Sequence, residues 1–221
     1  MRRAAVVAAA SLLVLAAPAA AGPSPAATYR AAIAAAGAQR SVHYVALTRI
    51  SGTTETMVGD AARDRGSQRI TYTRGGSTGH VTIVVVRNTA YVRGDRFALG
   101  AYLGLTTAQA TRYAGRWFSL VPPGAAYGQV AEAVRLQSFV AELRMPGPYR
   151  AAAAATIGGR RVAGVRTRAT VGGKPVEVTL YVGSGSPLPV AQGPTGTITT
   201  TLGRWNEHVG ISAPTGAIRF R

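Results

Sequence analysis

Gly75-Gly76-Ser77-Thr78-Gly79 satisfies the G-x-S-x-G pattern of a serine nucleophile, and Asp95 and His208 follow it in hydrolase order. In that chemistry the serine stands on a sharp strand-to-helix turn, an imidazole takes its proton and a carboxylate orients the imidazole. Here His80 to Arg87 is strand-like, so the elbow lacks its helix. His43, His80 and His208 stand singly, without the i, i+4 pairing that puts two imidazoles on one helix face for zinc. Glu132 and Glu142 share one helical stretch but lie nearly three turns apart, and read as surface charges rather than as a general acid and base. The glycine pairs sit between strands and open no helix onto a phosphate. No catalytic residue, metal ligand or cofactor is therefore assigned.

The chain has 221 residues, a formal charge of +17 and no cysteine. Lack of thiol removes disulfides, thiolate metal sites, iron–sulfur clusters and cysteine nucleophiles together. Arg2 and Arg3, the apolar run Ala4 to Ala17 and Ala19-Ala20-Ala21 predict an export signal over residues 1–21, with a mature start at Gly22. The apolar run is too short for a spanning helix, and Pro18 ends it. Losing those two arginines leaves the mature chain at +15. Its arginines (Arg49, Arg63, Arg65, Arg69, Arg74, Arg87, Arg93) are scattered rather than run together, so no nucleic-acid partner is expected. An anionic membrane surface or acidic envelope polymer suits them better; solvated strand faces are the plain alternative.

The elements that would position any site are mostly strands. Residues 22–27 read as a flexible tail, and Thr28 as the cap of an alanine-rich helix ending near Gly37. Strand patterns follow at 42–50, 54–59, 69–73, 80–87 and 90–93, with Val42, Tyr44, Ala46 and Ile50 on one face. A crowded apolar stretch at 97–105 leads into a short helix from Thr106 to Tyr113, then a strand at 117–121. Residues 126–144 form the longest helical candidate. Tyr127, Val130 and Val134 fall on one side of it, and Leu136, Phe139, Val140 and Leu143 on another. Either this helix lies between a sheet and a second apolar body, or it bends over a single core. Strand patterns return at 151–157, 160–171, 175–182, 187–192 and 195–203, joined by glycine turns too short for helical crossovers. The reading is α+β: one large antiparallel sheet with a helical insert, residues 28–221 forming a single domain.

At this level the chain resembles the LppX/LprG-type lipoproteins of mycobacteria, distantly similar to the LolA-type lipoprotein carriers. The resemblance rests on the Tyr-x-x-Ala-rich helix before Ser41-Val42-His43-Tyr44, on Val84 to Gly94, on Tyr113-Ala114-Gly115-Arg116-Trp117, on Thr156 to Val165, and on Ser186-Pro187-Leu188-Pro189-Val190. It implies an actinobacterial envelope protein with a half-open β-barrel, helices at 97–113 and 126–143 over the concave face, and a hydrophobic cavity for acyl chains between them. Leu99, Tyr102, Leu103, Leu105, Val130, Val134, Phe139 and Leu143 are the expected lipid-binding residues, each also readable as ordinary core. The lipobox cysteine of that group is replaced by Ala19-Ala20-Ala21-Gly22, so the expectation is a secreted or envelope monomer without a cysteine-linked lipid anchor. A lipid or lipoprotein carrier is one reading. An envelope sensor or scaffold that binds a protein through the curved sheet is the other.

Overall fold

The computed structural model of the chain describes residues 22–171, 173–195 and 199–221. The expected export segment, Gly172 of the expected Gly172-Gly173 turn, and residues 196–198 of the expected last long strand lie outside them. Helix α1 spans Pro25–Ala38, so the helix takes three residues from the expected tail and Thr28 is not its cap. The Ser24 hydroxyl accepts from the Ala27 amide, and Pro25 supplies a φ already suited to the first turn.

Strands β1 (Ser41–Ile50), β2 (Thr53–Ala62), β3 (Arg65–Arg74), β4 (Ser77–Val86) and β5 (Thr89–Gly94) form a meander of two-residue hairpins. Gly75 and Gly76 both have positive φ, 57° and 79°, the geometry a tight hairpin of right-twisted strands requires. Ser77 is thus already a strand residue, opposite Arg74. Next come α2 (Arg96–Ala101), α3 (Thr107–Tyr113) and β6 (Phe118–Leu120). The short helix expected from Thr106 is α3, and it opens on a capping box between Thr106 and Gln109.

The expected single helix at 126–144 is two helices, α4 (Ala125–Glu132) and α5 (Leu136–Glu142). Arg135 is extended at the break, where it forms a bridge with Ala62, and its guanidinium donates to the Arg87 carbonyl and the Tyr127 hydroxyl. These contacts replace helical hydrogen bonds that would otherwise be lost at the break. The second meander is β7 (Arg150–Ile157), β8 (Arg160–Val171), β9 (Lys174–Gly183), β10 (Pro189–Pro194) and β11 (Thr200–Gly203), the last being shorter than the expected 195–203.

β11 pairs with β1 and merges both meanders into one 12-stranded sheet. Its order is β12-β6-β5-β4-β3-β2-β1-β11-β10-β9-β8-β7, where β12 (Ile218–Arg219) pairs parallel with β6, an exception to the antiparallel expectation. Between β11 and β12 the chain crosses from the middle of the sheet to its far edge, and Phe220 then packs on Tyr113 and Phe118.

Among the described residues the helices cover one face of the sheet, and two apolar clusters lie beneath them. One joins β3–β6 to α2, α3 and α4 through Ile70, Ile83, Leu99, Tyr113, Phe118 and Val134. The other joins β1, β8 and β9 to α1 and α5 through Tyr29, Val42, Phe139, Leu143, Val165 and Leu180. The two apolar faces read on 126–144 therefore belong to two helices, each on its own half of the core. Ile50 shares the inner face of Val42, Tyr44 and Ala46 but is 63% exposed, at the hairpin end of β1.

Candidate functional site

The helices sit close to the sheet because glycines on the inner face leave room for them. A β-carbon on Gly66 would lie 2.0 Å from the Val134 carbonyl oxygen at the α4–α5 break, and one on Gly79 would meet Asp95, Ala98 and Phe97 of the α2 entry. One on Gly59 would strike the Tyr44 ring, which crosses β2 to place its hydroxyl 2.5 Å from Gln68 Oε1 on β3. The Gln68 amide nitrogen is buried with no hydrogen-bond partner among the described residues.

Between the two clusters runs a seam over β1–β3. Register places Ala46, Met57 and Ile70 side by side on the inner face, with Thr48, Glu55 and Tyr72 in the next row. Met57 is only partly buried and packs against both clusters. Tyr102 of the α2 end reaches toward it, 5.6 Å from the Tyr72 ring between centroids, while Phe139 of α5 stacks on Tyr44 at 4.7 Å. Burial pushes the Tyr102 phenol up, helped by the Glu55 carboxylate beside it, and burial with Glu142 nearby does the same to Tyr44. Both hydroxyls thus stay neutral and serve as hydrogen-bonding groups, not as bases.

Glu142 is open to water on one side and walled by protein on the other, and that loss of solvent raises its carboxyl above the ordinary value. A raised native pKa means the folded chain favours the protonated form, so the ionised group costs stability once the pH passes its native value. Glu142→Gln should therefore stabilise the protein at pH 7 and leave it unchanged near pH 3, below both pKa values, as urea denaturation at the two pH values would read.

Of the eight expected lipid contacts, Leu99 and Val134 are 0% exposed, Leu143 2%, and Val130 and Phe139 7%. These five side chains fill protein core. Tyr102, Leu103 and Leu105 are partly exposed at the margin of the first cluster. The expected set is thus divided between core and seam. Tyr44, Glu55, Met57 and Gln68 were not in it, although period-two alternation along β1–β3 puts all four on the inner face.

The hydrolase constellation does not assemble. Ser77 lies at the Arg74 end of the ten-residue strands and His208 beside Arg40, Ser41 and Ala62 at the other, about 30 Å away at ~3.3 Å per residue. The Asp95 carboxylate is spent on the His80 and Ala98 amides. His43, Asp60 and Ser67 do stand in one row on the outer face, but the acid is central, with His43 Nδ1 2.8 Å from Asp60 Oδ1. A triad needs the imidazole in that place. The row lines a polar cavity of about 470 Å³ beneath Gly210, Ile211 and Ser212. Among the described residues no cluster of three or more metal-ligating side chains occurs, and no helix is long and apolar enough to cross a membrane.

No family model and no curated protein sequence matches the chain. Among solved structures, LprF from Mycobacterium bovis matches over 86% of this chain and 96% of its own, with a TM-score of 0.58 at 14% identity. An uncharacterized conserved protein from Thermus thermophilus matches at 0.41 and 10% identity over 88% and 96% of the two chains. MucB in complex with MucA(peri) matches at 0.33 and 11% identity over 83% and 54%. The first of these establishes the fold: a large, open, curved α+β sheet of the LolA-like kind, as the resemblance implied.

Proposed function

We propose that the chain is an exported, non-enzymatic carrier that takes acyl chains of a lipid or lipoprotein into the seam between the two halves of its helical cover. The observation that carries this reading is the unsealed inner face. Met57 touches both clusters, while Tyr102, Leu103 and Leu105 keep part of their apolar surface in water. An acyl chain laid there gains about 0.8 kcal/mol per buried methylene without any catalytic group. Separate packing of α4 and α5, joined only through residues 133–135, lets the seam widen while each half keeps its own core. The positive charge of the chain favours anionic envelope surfaces.

The burial of Leu99, Val134 and Leu143 favours the second reading, a sensor or scaffold whose covered space is filled by its own side chains. Native mass spectrometry of the chain from Gly22 onward, followed by denaturing release of any ligand, separates the two. The carrier reading expects co-purified lipid; a ligand-free chain leaves the scaffold. Leu103→Asp should sharply lower retained lipid with secretion intact, because it puts a charge where acyl carbon would lie. Unchanged loading would remove Leu103 from the wall.

A further inference from the structure

The edge formed by β7, β8 and β9 carries a concentration of positive charge that the acyl seam does not use. Arg150 stands directly opposite Arg166 across β7–β8, and Arg168 lies two residues further along β8. Strand alternation puts all three on the face opposite Val165 and Leu180, hence away from the helices and the seam. Like charges directly opposed on a sheet are unfavourable unless something of opposite sign is shared between them. Among the described residues one acid lines a recess with them. Glu177, opposite Arg168 in register, accepts from Arg166 Nη1 at 2.9 and 3.4 Å, and Arg166 Nε is held by the Ala151 carbonyl. Thr195 also donates to Glu177. Arg150 and Arg168 have no ion-pair partner among the described residues, so three guanidinium groups face one carboxylate. Together with Pro148 and Thr167 they line this recess of about 280 Å³ at the sheet edge.

We propose that this recess binds a phosphate-type oxyanion, held by Arg150 and Arg168 on either side of the Arg166–Glu177 pair. Guanidinium forks match the oxygen spacing of a phosphate and bind it through charge-assisted hydrogen bonds. Glu177, held below the usual carboxylate range first by its bond from Arg166 and further by Arg168, stays ionised and fixes Arg166 in place. The recess takes either a dissolved phosphate or the phosphomonoester headgroup of a lipid.

Calorimetry with inorganic phosphate, and flotation with vesicles of phosphatidylcholine alone or mixed with phosphatidic acid, tests the assignment on the chain from Gly22 onward. Wild type should bind saturably, and Arg150→Gln/Arg168→Gln should lose about tenfold or more in affinity. Arg49→Gln/Arg93→Gln removes the same charge elsewhere on the outer face and should change affinity by no more than about twofold. Binding of phosphate without preference for phosphatidic acid identifies the soluble ion as the ligand, and a vesicle preference lost in the first double variant identifies the headgroup; both uphold the site. Saturable binding of neither probe, or equal losses in the two double variants, overturns it. Lipid retention in the seam should not change in either variant, which keeps this test separate from that of the carrier.

Discussion

Gly66→Ala should lower the unfolding free energy by about 3 kcal/mol, at the upper end of what overpacking a closed interior costs. The new methyl would stand 2.0 Å from the Val134 carbonyl oxygen and 2.8 Å from the Val134 β-carbon. A carbonyl in the main chain cannot swing aside as a long side chain does, so the α4–α5 break must lift. That would disturb the Arg135 bridge to Ala62 and the anchoring of its guanidinium on Arg87 and Tyr127. For a domain of this size the loss corresponds to a fall of roughly 10 °C in Tm. The same substitution at Gly37, inside α1 with open space around it, should be neutral or stabilising by up to about 1 kcal/mol. If Gly66→Ala melts with wild type, the helical cover does not rest on β3 as described.

Leu99→Ala should cost about 3 kcal/mol in denaturant unfolding, within the range for emptying a fully buried leucine site. Leu99 is on the buried side of α2, in one cluster with Ile70, Val81 and Val92 of the sheet. The comparison with Leu103 turns this into a statement about function. A leucine that belongs to the core loses stability on truncation whether or not lipid is present. One that lines a ligand site loses mainly ligand, so Leu103→Ala should cost less stability than Leu99→Ala and more retained lipid. Urea unfolding of delipidated protein beside lipid quantification of the purified variants gives both numbers. A small stability loss at Leu99 together with strong lipid loss would restore it to the cavity wall.

Much of the sheet could be read from residue order. Alternation along Val176 to Val182 and the glycines of 75–79 locate strands and a hairpin, because side-chain direction in a strand depends only on position along the chain, although the structure shortens that turn to Gly75-Gly76 and starts β4 at Ser77. Thr106 marks a helix start for the same local reason, and the structure adds Gln109 as the other half of its capping box. The failed elbow at Ser77 was likewise visible in the strand that follows it. Other features were hidden. The break at 133–135 follows from contacts with Ala62, Arg87 and Gly66, more than forty residues away in the chain. The β1–β11 pairing joins segments separated by most of the chain, and the parallel β12–β6 pair joins segments 100 residues apart. β12 is also only two residues long, too short to carry a pattern.

The candidate site divides along the same line. Leu99 and Leu103 are the same residue type four positions apart, and no local rule separates the one sealed in core from the one left at the seam. Residue order settled that this is a basic chain of alternating strands without thiol chemistry, since charge, composition and periodicity are properties of neighbours along the chain. Which apolar side chains meet one another and which face an opening was decided by packing. Burial is a property shared with whatever element arrives from elsewhere in the fold.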